Sequence, residues 1–143
     1  MIRAAEASGD LRPGGVVVEG TSGNTGIGLA LVGGFLGYRT VIVVPDTTAT
    51  EKVAALCAYG AEVVLTPGGL TREDPRHVNN LAARIAAEAS GGWLADQYGN
   101  PANPQAHRDT TAPEIWEQTG GRVTCLVAGW AALGLPESLA PAD

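Results

Sequence analysis

The chain has 143 residues and a formal charge of −6, nine lysines and arginines standing against fifteen aspartates and glutamates. That length holds one domain with a real core and is short for two, while the acidic balance argues against nucleic acid or an anionic membrane surface as partner. Apolar residues make up 45% and glycines number 20, which fits a globular α/β protein rather than a disordered one and leaves small metabolites as ligands.

Residues 2–8 read as the end of a helix closed by Gly9. Gly14-Gly15 leads into a strand at 16–19, where Val16-Val17-Val18 is short and β-branched. After a polar loop comes an apolar helix from about 25 to 36, stopped by Gly37; apolar nearly all round, it is expected to be buried on several sides. Residues 40–44 are a second β-branched run ended by Pro45, of the kind buried on both faces of a parallel sheet. The next helix opens on an expected capping box, Thr48 with Glu51, shows Val53, Leu56 and Cys57 on one face, and closes at Gly60.

Residues 62–66 form the third expected strand and 67–76 a loop, with Asp74-Pro75 predicted as N-cap and first-turn proline of a helix. Val78, Leu81, Ala82, Ile85, Ala86 and Ala89 follow at helical spacing as one core stripe, which Gly91-Gly92 ends. Trp93-Leu94-Ala95 reads as a short strand with Asp96-Gln97-Tyr98 at its carboxyl end. Asn103 is expected to cap one further helix, and Thr111 with Glu114 another, the two meeting near Thr111. Gly120-Gly121 stops the second, and residues 123–128 are the last expected strand. Strand alternating with helix, without a hairpin signal, predicts an α/β fold: a doubly wound parallel sheet, Rossmann-like, in three layers. Cys57 and Cys125 fall inside apolar elements and make no disulfide framework, so they are read as reduced core cysteines of a cytoplasmic protein. Neither a secretion signal nor a membrane span is legible.

The stretch from Glu19 to Gly26 sits where the valine run stops and the apolar helix begins. A helix start is an anion site by geometry, because its first amides lack intrahelical partners and the macrodipole adds roughly half a positive charge. Gly23 and Gly26 let the backbone come close to a ligand, and Thr21, Ser22, Thr25 and Asn24 add uncharged donors. A well-capped turn explains the same residues equally well on spacing alone.

Thr21-Ser22-Gly23-Asn24-Thr25-Gly26 resembles the asparagine loop of the fold-type II pyridoxal-phosphate enzymes, the cysteine synthase and cystathionine β-synthase family. The likeness continues in Glu51-Lys52-Val53, Gly60-Ala61-Glu62-Val63-Val64, Asp96-Gln97-Tyr98, Asn100-Pro101-Ala102-Asn103-Pro104, His107, Thr110-Thr111 and Glu114-Ile115-Trp116, in the family's order. One departure is Gly20, where the family usually has proline, and it implies a more flexible loop entry. The resemblance implies that Asn24 hydrogen-bonds the ring hydroxyl oxygen of pyridoxal 5'-phosphate. It implies that Thr21, Ser22, Gly23 and Thr25 bind the α-carboxylate of a small amino-acid substrate, with Gln97 closing from the far side. The implied reaction is β-replacement, in which serine or O-acetylserine takes up a thiol nucleophile.

Lys52 is the only lysine in the chain. It stands where the family carries an ordinary Lys or Arg, so it is not the Schiff-base lysine, which the resemblance places before Met1; no catalytic residue is therefore expected here. The phosphate-binding glycine loop expected after Gly129 is replaced by Gly129-Trp130-Ala131-Ala132-Leu133-Gly134. A glycine-valine-glycine codon run read one base out of register gives Gly-Trp-Ala, which makes a frameshift the hypothesis for this tail; gene sequencing that finds no intact glycine loop in the alternative frame removes it. The expected organisation is a partial enzyme over residues 1–128, with the asparagine-loop subdomain at about 10–100, the start of a second at about 101–128, and an aberrant, loose tail at 129–143. Such a fragment is expected to be inactive alone. The family is usually homodimeric, and uncovered sheet edges would favour association or aggregation.

His77 is read as a surface residue and His107 as a packing or hydrogen-bonding one, and no spacing points to a metal. A different class stays open: a stand-alone α/β module that binds a small carboxylate or phosphate at residues 21–26. A dinucleotide-binding reading is weaker, since Gly23-Asn24-Thr25-Gly26-Ile27-Gly28 lacks the first tight glycine pair and only Asp46 could serve as the acidic ribose ligand.

Overall fold

A computed structural model describes residues 1–127. The expected tail at 129–143 and Ala128, the end of the last expected strand, lie outside the described residues. Ile2–Gln97 forms one compact unit, and the described residues from Tyr98 to Val127 belong to another.

In the first unit, helix α1 (Ile2–Ser8) is followed by β1 (Val16–Gly20), α2 (Asn24–Phe35), β2 (Arg39–Pro45), α3 (Thr50–Ala58), β3 (Glu62–Thr66), α4 (Val78–Glu88) and β4 (Gly92–Leu94). The strands form one parallel sheet in the order β3-β2-β1-β4, as alternating strands and helices predict. Helices cover both faces. On one, Val16, Val18, Val41 and Val43 meet Ala82 and Ala86 of α4, with Val78, Leu81, Ile85 and Ala89 of the same helical stripe packed around them. On the other, α2 comes so close to β2 that a Cβ on Gly26 would touch Ile42. Val17, Val18, Ile42, Val43 and Val44 are wholly buried; each contributes about 1.5–3 kcal/mol by leaving water. Central strands sealed on both faces have no reason to alternate in polarity, which explains their continuous β-branched runs. Left-handed glycines at Gly9, Gly37 and Gly60 follow α1, α2 and α3, where a left-handed residue closes a helix without a Cβ penalty.

Several expectations are corrected. The apolar helix α2 is buried on one side only, through Gly26, Leu29, Ala30 and Gly33, whereas Leu31, Val32 and Phe35 are exposed, Phe35 to 85%. A helix laid on a sheet contacts it along one stripe, and the opposite stripe stays open whatever its composition. Both cysteines are exposed: Cys57 follows the buried Leu56 by about 100° around α3. The Thr48–Glu51 capping box does not form, since α3 begins at Thr50 with Ala49 as an N-cap that gives no side-chain bond. Asp74-Pro75 starts a turn and not a helix: Asp74 Oδ1 accepts from the Arg76 amide at 2.8 Å, and α4 begins later, capped by His77. The short strand β4 ends at Leu94, one residue earlier than expected.

The second unit contains α5 (Ala102–Asp109) and α6 (Thr111–Gln118), two helices meeting at Thr110–Thr111 as the proline at 113 predicts. His107 Nδ1 lies 3.1 Å from Thr111 Oγ1, a hydrogen-bonding role. Asn103 is not the cap; it lies inside α5, and Asn100 Oδ1 instead accepts from the Ala102 amide at 3.0 Å. Thr111 is likewise the first helical residue of α6, whose N-cap Thr110 makes no side-chain cap bond. Residues 123–127 are not a strand. A strand exists only by pairing, and among the described residues none pairs with this one.

Candidate functional site

The sheet order fixes where a ligand can sit. The chain builds outward from β1 to β2 and β3, then returns past β1 to lay β4 on its other side. In open parallel sheets ligands settle outside the carboxyl ends of the strands at such a reversal, here the crevice between the exits of β1 and β4.

The β1 exit is the loop of residues 21–23. Its entry is tight: Gly20 is buried, and a Cβ there would lie 2.7 Å from the Val78 carbonyl oxygen. The start of α4 packs directly against this entry, so a side chain at position 20 would meet the Val78 backbone. Thr21 is buried; its amide donates to the Val43 carbonyl at 2.9 Å, and its Oγ1 accepts from the Gly23 amide at 3.2 Å. These two bonds turn the chain off the sheet and into α2. Gly23 is the N-cap and offers no side-chain cap, and no acidic residue stands in the first turn. The well-capped turn that spacing left open is thus not what forms. The helix start keeps its outward amides and its partial positive charge.

Ser22 and Asn24 are exposed and Thr25 is half-buried. Across the crevice, Thr25 Oγ1 donates to Gln97 Oε1 at 2.7 Å. That bond joins residues 72 positions apart in sequence, and it brings together two of the residues singled out from the sequence. Ser22 and Asn24 are not drawn into it; among the described residues no side-chain hydrogen bond holds either. Lys52 is exposed in the first helical turn of α3. His77 is half-buried, and its Nδ1 accepts from the Asn79 amide at 3.3 Å as the cap of α4. Asp46 Oδ1 accepts from the Gly68 amide at 2.9 Å, tying the exits of β2 and β3 together, so the dinucleotide reading loses its acidic ribose ligand.

One residue of the site was missed by motif reasoning. Glu19, next to last in β1, is only 4% exposed. Its Oε1 accepts from the Gly20 amide at 3.1 Å and its Oε2 from the Gln97 amide at 3.2 Å. Burial pushes its carboxyl above the ordinary glutamate value, and the neighbouring Asp96 charge adds to this, while the backbone amides of Gln97, Gly20 and Asp96 pull the other way. The signal was present: a carboxylate inside a strand with both faces sealed is costly unless amides answer it.

Among the described residues, no three His, Cys, Asp or Glu side chains stand together as a metal site, and no helix is long and apolar enough to cross a membrane.

Comparison with known proteins agrees with this fold. Residues 1–140 match the family described as pyridoxal-phosphate dependent enzyme. Cysteine synthase B of Escherichia coli is 46% identical over 134 residues, covering 94% of this chain and 43% of that protein. Cystathionine beta-synthase of Oryctolagus cuniculus is 48% identical over 128 residues, covering 90% of this chain and 23% of that protein. Among solved structures, a mutant of O-ureido-L-serine synthase bound to O-ureido-L-serine superposes with a TM-score of 0.86 at 41% identity, over 96% of this chain and 42% of that one. The chain thus spans less than half the length of these relatives.

Proposed function

The chain belongs to the family of pyridoxal-phosphate dependent enzymes, and from that premise we propose that the β1–β4 crevice is the amino-acid carboxylate site of a β-replacement enzyme of cysteine or cystathionine synthesis. The observation that carries the proposal is the Thr25–Gln97 hydrogen bond across the sheet reversal. It sets two neutral polar side chains, from two separate loops, beside a helix start that has no anion of its own. Ser22, Thr25 and the open amides at the start of α2 take the carboxylate from the α2 side, and Gln97 closes from the β4 side. Thr21 and Gly23, whose amides are already bonded to the Val43 carbonyl and to Thr21 Oγ1, shape the loop around it. A carboxylate at that helix start gains about 0.3–1 kcal/mol from the dipole.

The same donor set suits pyridoxal phosphate in part. Asn24, exposed at the first position of α2, is a neutral amide able to meet the ring oxygen. When bound, the cofactor supplies an electron sink for loss of the substrate's β-substituent. The residues of this chain orient the substrate by its carboxylate. Covalent attachment is another matter, because the only lysine, Lys52, stands exposed on α3. The 143 residues alone therefore give no turnover and no lysine-dependent absorbance shift with added pyridoxal phosphate. A stoichiometric shift that Lys52→Arg abolishes would refute this.

Calorimetric titration with L-serine and with L-serine methyl ester tests the carboxylate site. L-serine should bind at least about tenfold more tightly, the worth of one charge-assisted hydrogen bond; equal affinity overturns the reading. The position of Lys52 favours one second reading, a module that binds a small carboxylate or phosphate without chemistry, and inorganic phosphate that displaces L-serine would support it.

A further inference from the structure

Glu19 occupies the carboxyl end of β1 with both oxygens turned to the backbone, Oε1 to the Gly20 amide and Oε2 to the Gln97 amide. The Asp96 backbone also favours the ionised form of this carboxyl group, weakly beside Gln97 and Gly20. Asp96 has φ 46°, the one non-glycine residue in the left-handed region among those described. A left-handed residue turns successive amides the same way and makes a small concavity for an anion. Here the anion is part of the chain. Left-handed backbone persists at a non-glycine residue only where its surroundings hold it there, and Glu19 is the group that its amides face.

We infer that Glu19 is a positioning residue: bonded to the Gln97 amide next to the left-handed Asp96, its carboxylate fixes the β4 exit in the conformation that brings the Gln97 side chain to Thr25. Glu19 touches no ligand, and its effect on binding rests on the carboxylate-site reading above. Its effect on the β4 exit does not.

Amide hydrogen exchange on the whole chain, followed residue by residue, separates the two. In Glu19→Gln an amide NH2 replaces one oxygen and faces a backbone donor, so a bond is lost without a change of shape. Exchange at Gln97 should accelerate about tenfold, the size of one hydrogen bond to a charged group. The Ala95 amide, bonded to the Val18 carbonyl, and the Thr21 amide, bonded to the Val43 carbonyl, should keep their protection. L-serine affinity should fall by a similar factor. Where Glu19→Gln does not fold, Glu19→Asp draws the carboxylate back by one methylene and should give the same selective loss. Gln97 exchange that stays unchanged, or that rises in step with Ala95, overturns the positioning role. L-serine affinity that survives the loss of Gln97 protection also overturns it, while leaving the carboxylate site intact. A wild-type chain that takes up no L-serine, with Gln97 still selectively exposed in the variant, removes the carboxylate site and upholds the role of Glu19 at the β4 exit.

Discussion

Helices α2 and α4 start at the same edge of one sheet, with opposite provision for their first amides. At α4 the chain answers its own need, the His77 ring accepting from the Asn79 amide. At α2 it does not: Gly23 gives no side-chain cap, and no acidic residue stands in the first turn. Helix α3 falls between, uncapped by a side chain but carrying Glu51 in its first turn. A helix start that is self-satisfied is structural, whereas one left open beside a sheet reversal, with neutral hydroxyls around it, retains its pull on an anion from outside.

The two starts meet at Gly20, and that position offers the strongest way to break the contrast. Gly20→Ala would push a Cβ into the Val78 backbone and should destabilise the chain by about 1–3 kcal/mol, read as a lowered midpoint in urea. Gly23→Ala, whose Cβ would meet nothing nearer than Thr21 Oγ1 at 3.6 Å, should change stability by no more than about 0.5 kcal/mol. Equal losses would mean that the β1 exit is not held by α4.

Removing the cap of α4 tests its self-sufficiency. His77→Ala should lower stability by about 1 kcal/mol and leave L-serine binding alone. At α2 the comparable partner is Gln97, reached through Thr25. A double-mutant cycle of Thr25→Val and Gln97→Leu should show a coupling of about 0.5–1.5 kcal/mol in unfolding free energy; strict additivity would say that the bond does not hold the two loops together.

Acidity gives a further contrast. Glu19 is buried and has its carboxyl raised from the ordinary value of 4.5. Below that value the group is protonated in folded and unfolded chains alike. As pH rises from there through the raised value, the unfolded chain ionises first, so the folded state loses stability with rising pH. Glu19→Gln should flatten this slope, and an unchanged slope would place its origin elsewhere.

How much of this the sequence carries depends on the range of the forces involved. The stripe from Val78 to Ala89 is legible because helical spacing alone places it against the sheet. The central strands β1 and β2 are legible because both of their faces are sealed. Helix starts are not, since a cap needs particular backbone angles that distant contacts decide. Thr66 Oγ1 donates to the Arg76 carbonyl at 2.5 Å, holding residues 74–76 to the sheet in a turn, so α4 waits until Val78 despite the Asp74-Pro75 signal. Residues 123–127 have strand composition and no strand, because pairing is a property of neighbours. The loop at 21–26 and Gln97 were visible through a resemblance, but the clasp of Glu19 on the β4 exit was not: no local pattern says which amide a buried carboxylate will meet.

The smallest expected effect sharpens the comparison most. Asn24→Asp would give α2 the anion that α3 already has in Glu51, at the first helical position. The new charge should stabilise the chain by about 0.3–1 kcal/mol in low salt, and Glu51→Gln should cost a similar amount at α3. The carboxylate site predicts an opposite sign for binding. The introduced aspartate would occupy the field that an incoming carboxylate uses, so L-serine affinity should fall while stability rises, and added salt should shrink both changes together. At α3, where Glu51 already stands in the first turn, the carboxylate-site reading expects no such trade. Stability and L-serine affinity rising together in Asn24→Asp would show that the open start of α2 is not where the carboxylate goes.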